Sequence, residues 1–334
     1  MKFNKIINLY YIFMGILIIL LLIWYLSSGN IDLFINESSY IKPITNKIEL
    51  NITKYLSECV NNNIPVSFSK YGDGEFFCAF GAFDYNNNKK ENCDNDSYTL
   101  KLSESLKHSF KYMVETANNA YIGLWHNYEY KSKWDSLITK PVKWADYYTI
   151  IFHKHIVTDI VNNNDDNNNN DNDNNDNNND DNNNDKVLLY KSIKKSKLKK
   201  IIICNQLLEK SKILLDIDYI VNVPINNWFD TNFESILENV KQIIKDDGNH
   251  IVITCCGMSA KVLICELTKT FPKGIYLDFG SALDLICTKK DSRGYTYSYD
   301  YTKNLLKDII PEDWDNNKYN SIYNNANKKL GLHM

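Results

Sequence analysis

Residues 68–81 read FSKYGDGEFFCAFG. A β-prone run from Pro65 to Tyr71 gives way at Gly72 to an aromatic-rich helical pattern, which predicts a strand turning directly into a helix. The turn holds Asp73-Gly74-Glu75, two carboxylates one glycine apart. Gly72 and Gly74 bracket Asp73, so the backbone is able to turn tightly and approach a ligand closely. Amide groups at the start of a helix favour anions. Two hard oxygen ligands beside such a turn fit a divalent cation, magnesium or manganese, that bridges the protein to a diphosphate. The plainer account is that Asp and Glu are common in the first turn of a helix.

The strand-to-helix pattern recurs along the chain. Further candidate strands are Ala120 to Leu124, Tyr148 to His153, Lys200 to Cys204, Tyr219 to Val223, His250 to Cys255 and Gly274 to Asp278, with candidate helices at 45–62, 98–117, 230–246 and 259–270. Strands alternating with helices of this length predict an α/β fold, a mostly parallel sheet with flanking helices. Apolar runs such as IIIC and IVITCC suit strands covered on both faces. Ligands of such sheets bind beyond the carboxyl ends of the strands.

Two more strand ends fit that rule. HIVITCCGMSA, residues 250–260, offers Gly257 and Ser259 as a modest phosphate or ribose cradle. It has neither a GxGxxG fingerprint nor a Walker lysine, and Cys255 and Cys256 read as core. YLDFGSALD, residues 276–284, ends in Asp278, Gly280 and Ser281, with Asp284 four residues beyond the glycine. Asp278 would hold a ribose or acceptor hydroxyl, or cap a helix. A fourth segment, ENCDNDSY at 91–98, precedes a helix, and Asp96 or Ser97 would be its N-cap. His108, His126, His153 and His155 are scattered, with no Ser-His-Asp ordering.

The N-terminal end sets the expected compartment. Ile6 to Leu26 is almost wholly apolar, long enough to cross a hydrocarbon core of roughly 30 Å. Lys2 and Lys5 precede it, Asp32 and Glu37 follow it, and Trp24-Tyr25 suit an interface, so residues 6–27 read as a retained signal anchor, with a cleaved signal peptide, usually of shorter apolar core, as the rival. The expected layout is a cytoplasmic tail at 1–5, the anchor, a stem at 28–44, a lumenal domain at 45–315 and a tail at 316–334. That is a single-pass type II protein of the ER or Golgi membrane. Sequons at Asn36, Asn51 and Asn95 agree with it. All eight cysteines lie beyond the anchor, where an oxidising lumen would allow some to pair. Without a CxxC pair or a Cys/His cluster, a zinc site is not expected.

Residues 162–185 contain only Asn and Asp, a tract expected to stay disordered as an insertion in the domain. It holds eight Asp, so the rest of the chain moves from the formal −3 to +5. Residues 186–200 carry seven lysines and read as a solvated helix face or linker, with anionic lipid heads or an anionic substrate as the functional alternative. A lumenal placement argues against nucleic acid as a partner.

Four blocks carry a resemblance: KYGDGEFFCAFG (70–81), ENCDNDSYTLKLSESL (91–106), CCGMSAKVLICEL (255–267) and LDFGSALDLI (277–286). Together they resemble the GT-D-fold glycosyltransferases over about residues 45–315. The resemblance implies a Rossmann-like fold that binds a nucleotide sugar, with Asp73 and Glu75 at a divalent metal and the diphosphate. It implies donor contacts from Lys70, Gly72, Gly74, Asn92, Asp94, Gly257, Ser259, Gly280 and Ser281. A glycan or glycoprotein hydroxyl would be the acceptor, with Glu75, Asp278 and Asp284 as candidate bases. Lys70 stands where the family usually has arginine, keeping the charge and losing the planar fork. The rivals are a non-catalytic glycan-binding or scaffold protein on the same fold, and a nucleotide-dependent methyltransferase, which would want a glycine-rich first loop.

Overall fold

The computed structural model describes residues 46–47, 51–81, 83–84, 89–90, 98–125, 128–140, 143–153, 176–245, 248–291, 293–294 and 296–316. All of these belong to the second of two compact units, residues 43–334. The first unit, 1–42, lies outside the described residues, and with it the expected anchor and Asn36. Among the described residues no helix is long and apolar enough to cross a membrane.

The chain runs β1 (Asn46–Lys47), α1 (Ile52–Asn62), β2 (Val66–Tyr71), α2 (Asp73–Phe80), the short pair β3 (Phe83–Asp84) and β4 (Lys89–Lys90), then α3 (Leu100–Glu115) and β5 (Ala120–Leu124). It continues with α4 (Tyr128–Asp135), β6 (Lys143–Asp146), α5 (Asp176–Lys195), β7 (Lys199–Cys204), α6 (Ser211–Leu215), β8 (Tyr219–Asn222) and α7 (Phe229–Ile244). The last elements are β9 (His250–Cys255), α8 (Ser259–Thr270), β10 (Ile275–Asp278), α9 (Asp284–Thr288) and α10 (Tyr299–Leu305). Eight strands form one sheet in the order β1-β6-β5-β2-β10-β9-β7-β8, and every pairing in it is parallel.

Apolar alternation divides the core between the two faces. Ile201 and Ile203 point into the layer containing Leu106, Leu237 and Leu263 of α3, α7 and α8. Ile202 and Cys204 point into the layer containing Leu56, Leu189 and Leu214 of α1, α5 and α6. All six residues of β9 are buried, as a central parallel strand requires.

Four expectations change. The predicted strand Tyr148–His153 is a turn, and the strand is the preceding Lys143–Asp146. Asp146 captures the chain there: its carboxylate accepts from the Tyr148 N–H at 2.7 Å, and its carbonyl accepts from the Thr149 N–H at 3.1 Å. The lysine-rich 186–200 is no solvated face, because Val187, Leu189, Tyr190 and Ile193 of α5 are buried against α1. That apolar stripe also draws in the end of the Asn/Asp tract. Residues 176–185 are the first half of α5, Asn183 is buried and Asp185 accepts from the Asn51 amide. Asp near a helix N-terminus is favourable, and the helix is held by packing rather than by Asn propensity. Finally, the seven described cysteines are all free and buried, packing as small hydrophobes.

Candidate active site

The three strand ends singled out from the sequence are neighbours. β2, β10 and β9 stand side by side at the centre of the sheet. From β2 the chain proceeds outward to β5 and β6 on one side, and later elements fill the other. This is the switch-point arrangement in which open α/β sheets bind ligands.

One buried network joins the three ends. The Lys70 N–H donates to Asp278 Oδ2 at 2.9 Å, and its ammonium donates to the Phe279 carbonyl at 2.8 Å. The Gly280 N–H donates to Asp278 Oδ1 at 3.1 Å. On the β2 side the Gly72 N–H donates to Glu75 Oε2 at 2.8 Å, a capping contact that closes the first turn of α2. Lys261, in the first turn of α8, reaches both: its Nζ lies 2.5 Å from Glu75 Oε1 and 3.1 Å from Asp278 Oδ2. The Phe279 and Gly280 N–H groups both donate to the Thr254 carbonyl of β9, completing the join.

Burial decides the electrostatics. Lys70, Glu75, Lys261 and Asp278 are each under 5% exposed. Burial pushes the Lys70 ammonium down to about 8 despite the opposing pull of Asp278. Burial also works against the Lys261 charge, but Asp278 and Glu75 outweigh it and hold that ammonium above its ordinary value. Two cations and two anions leave the network neutral.

Two glycines are fixed by their neighbours. A Cβ on Gly72 would come within 2.9 Å of the Tyr147 ring, and one on Gly280, at φ +53°, within 2.8 Å of Lys70 Nζ. Tyr147 follows β6, and its ring also lies over the Lys70 ammonium at 5.1 Å.

The expected site residues therefore separate. Lys70, Gly72, Glu75, Asp278 and Gly280 are brought together as the frame. Asp73 opens α2 and is partly exposed, while Gly74 is buried behind it. Glu75, expected as a metal ligand and base, lies in the interior, with Oε2 accepting from the Gly72 N–H and Oε1 beside Lys261. Asp278, another expected base, accepts from two N–H groups and lies beside the Lys261 ammonium. Ser281 and Asp284 lie partly exposed on the β10–α9 turn, Gly257 is exposed after β9 and Ser259 is buried at the start of α8. The Asn51 side chain caps α1 by accepting from the Lys54 N–H. Asn92, Asp94 and Asn95 lie outside the described residues.

Sequence reasoning missed Lys261 and Tyr147. Lys261 left a signal, since it is the only lysine or carboxylate between Ile251 and Cys265, and a lone charge in an apolar helix start needs a buried partner. Tyr147 left none.

Among the described residues no group of three or more His, Cys, Asp or Glu side chains converges to hold a metal. The donor set fits one mode of cation binding: one carboxylate, Asp73, with the remaining positions filled by substrate phosphate oxygens and water, as magnesium is commonly held.

No family model and no curated protein matches this chain. Solved structures similar to it include a selenomethionine-substituted structure of domain of unknown function 1792, 13% identical, with a TM-score of 0.44 over 78% of this chain and 93% of that one. Another is described as the highly conserved domain of unknown function 1792 with a distinct glycosyltransferase fold. It is 12% identical, with a TM-score of 0.45 over 81% of this chain and 91% of that one.

Proposed function

We propose that this chain is a membrane-anchored glycosyltransferase of the ER or Golgi. It would move a sugar from a nucleotide diphosphate donor to a hydroxyl of a glycan or glycoprotein, with a divalent cation. The observation that carries the reading is the division of charge at the central strand ends. Both buried lysines are matched by buried carboxylates, and the partly exposed acid, Asp73, sits at the anion-favouring start of α2. A diphosphate beside Asp73 needs positive charge that the described network does not spare.

Asp73 would hold magnesium or manganese together with the diphosphate oxygens. That cation would neutralise the charge that develops on the leaving diphosphate. The frame would hold the Asp73 and Gly74 amides at the start of α2 towards the phosphate, while the Gly72 N–H stays with Glu75. Glu75, Asp278 and Asp284 are the base candidates for the acceptor proton, and Asp284 is the partly exposed one. Residues 6–27, with Lys2 and Lys5 before them, support the type II anchor, although they lie outside the described residues.

Thermal unfolding of the full-length chain against a panel of nucleotide sugars, with and without manganese, tests this. Binding at 100 times Kd should add about 2.7 kcal/mol. A shift with one donor that needs manganese and vanishes in Asp73→Ala is the expected result. No shift with any donor would sink the reading.

A further inference from the structure

Lys261 ties together two turns that are far apart in sequence. Its ammonium touches Glu75 of the β2–α2 turn and Asp278 at the end of β10, and it also lies 3.3 Å from the Gly257 carbonyl of the β9–α8 turn. Three strand ends thus meet at one side chain that is 2% exposed. Glu75 cannot keep its contact to the Gly72 N–H as a carboxylate without a buried cation nearby. Asp278 likewise needs that charge while it receives the Lys70 and Gly280 N–H groups. Lys70 adds a second positive charge felt by Asp278, but its ammonium donates to the Phe279 carbonyl and does not bridge to the β2–α2 turn.

We infer that Lys261 is the positioning residue of this site. It latches the 72–75 and 278–281 turns into one unit, and so positions the start of α2 where Asp73 stands. The ligand-binding part of this inference rests on the proposed nucleotide-sugar reading, whereas the latch stands in the protein without ligand.

Two measurements on the full-length chain keep these apart. The first is hydrogen exchange without ligand on the wild type, Lys261→Met and the double variant Lys261→Met/Glu75→Gln. Loss of the ammonium leaves two buried carboxylates facing each other, so Lys261→Met should lose protection at both turns together. The double variant, with one of those charges removed, should regain part of it. The second is titration with UDP and manganese at pH 7, where Lys261→Met should bind at least tenfold more weakly than the wild type and the double variant should regain part of that affinity. A merely destabilised protein would show neither the paired loss of protection nor the rescue by Glu75→Gln.

The inference falls if only one turn loosens, if the double variant exchanges like Lys261→Met, or if Lys261→Met binds as the wild type does. Should Lys261→Met fail to fold while the double variant folds, that rescue supports the latch, and failure of both overturns it. A wild type that binds no nucleoside diphosphate removes the transferase reading and leaves the latch to be judged by exchange.

Discussion

Two neighbouring halves of one sheet end in opposite ways. β7 and β9 finish at Cys204 and Cys255, registered partners in the apolar layer, where burial raises both thiols well above their ordinary value, Cys204 to about 12. β2 and β10, one strand away, finish in a buried network of two lysines and two carboxylates. The first arrangement is mainly well packed, and β9 and the turn after it meet the second through the Thr254 and Gly257 carbonyls. The second gains little net stability, since a buried ion pair roughly offsets its own desolvation. What it provides is directional: each polar group accepts one geometry, so the turns above it have one shape. Packing holds this fold, and the polar half positions the site.

The sharpest way to break that contrast is to remove one network member. Glu75→Ala leaves Lys261 with a single carboxylate and the Gly72 N–H without its acceptor. A loss of about 3–5 kcal/mol is expected, measured by urea unfolding at pH 7. A loss below about 1 kcal/mol would show that the network is not rigid. On the apolar side, Ile253→Ala removes a fully buried β9 side chain and should cost about 2–5 kcal/mol. Its folded fraction should still bind nucleotide with wild-type affinity, because the polar turns are untouched. Isothermal titration below the melting range tests this, and a tenfold weaker donor would erase the distinction between the halves.

Sequence alone reached the strand ends but not their adjacency. The period-two and continuous apolar runs placed β2, β5, β7, β8, β9 and β10 to within a residue or two, because buried parallel strands leave a compositional mark. The 148–153 run misled because local hydrogen bonding by Asp146 prevailed over β propensity. The stripe in α5 was legible at Val187, Tyr190 and Ile193, yet seven lysines and the Asn/Asp tract obscured it. The acid pair was visible, and its division into an interior Glu75 and a partly exposed Asp73 was not. That division depends on Lys261, 186 residues further along the chain, and no local pattern reports a contact of that range.

Acid–base behaviour offers a milder test. Burial holds Lys70 near 8, against 10.5 ordinarily, so the native protein releases this proton before the unfolded chain does. Between about pH 8 and 10.5 the unfolded state binds more protons, and the Lys70 contribution to stability rises with pH. Lys186, also pushed down to about 8 by burial, adds in the same direction. Lys261 is shifted upward, so its contribution is complete below 10.5 and declines only above it. Urea midpoints at pH 7.5 and 9.5 should therefore differ less in Lys70→Met than in wild type, by on the order of 1 kcal/mol in wild-type-referenced stability. Equal slopes for the two proteins would place the Lys70 ammonium in a wetter setting than its burial implies.

The smallest effect on stability should accompany the largest effect on ligand. Asp73 lies at the start of α2 and is partly exposed. Asp73→Asn keeps the shape and hydrogen-bonding capacity of the side chain and removes one charge, so the change in stability should stay within about 0.5 kcal/mol, the range usual for surface substitutions. Glu75→Ala would weaken binding only as far as it deforms the turn, whereas Asp73→Asn would remove a cation ligand and leave the turn intact. Manganese-dependent nucleotide binding should then disappear in a protein that unfolds like the wild type. Retained binding in Asp73→Asn, with loss in Glu75→Ala, would exchange the two roles and show that the buried acid turns outward when ligand arrives.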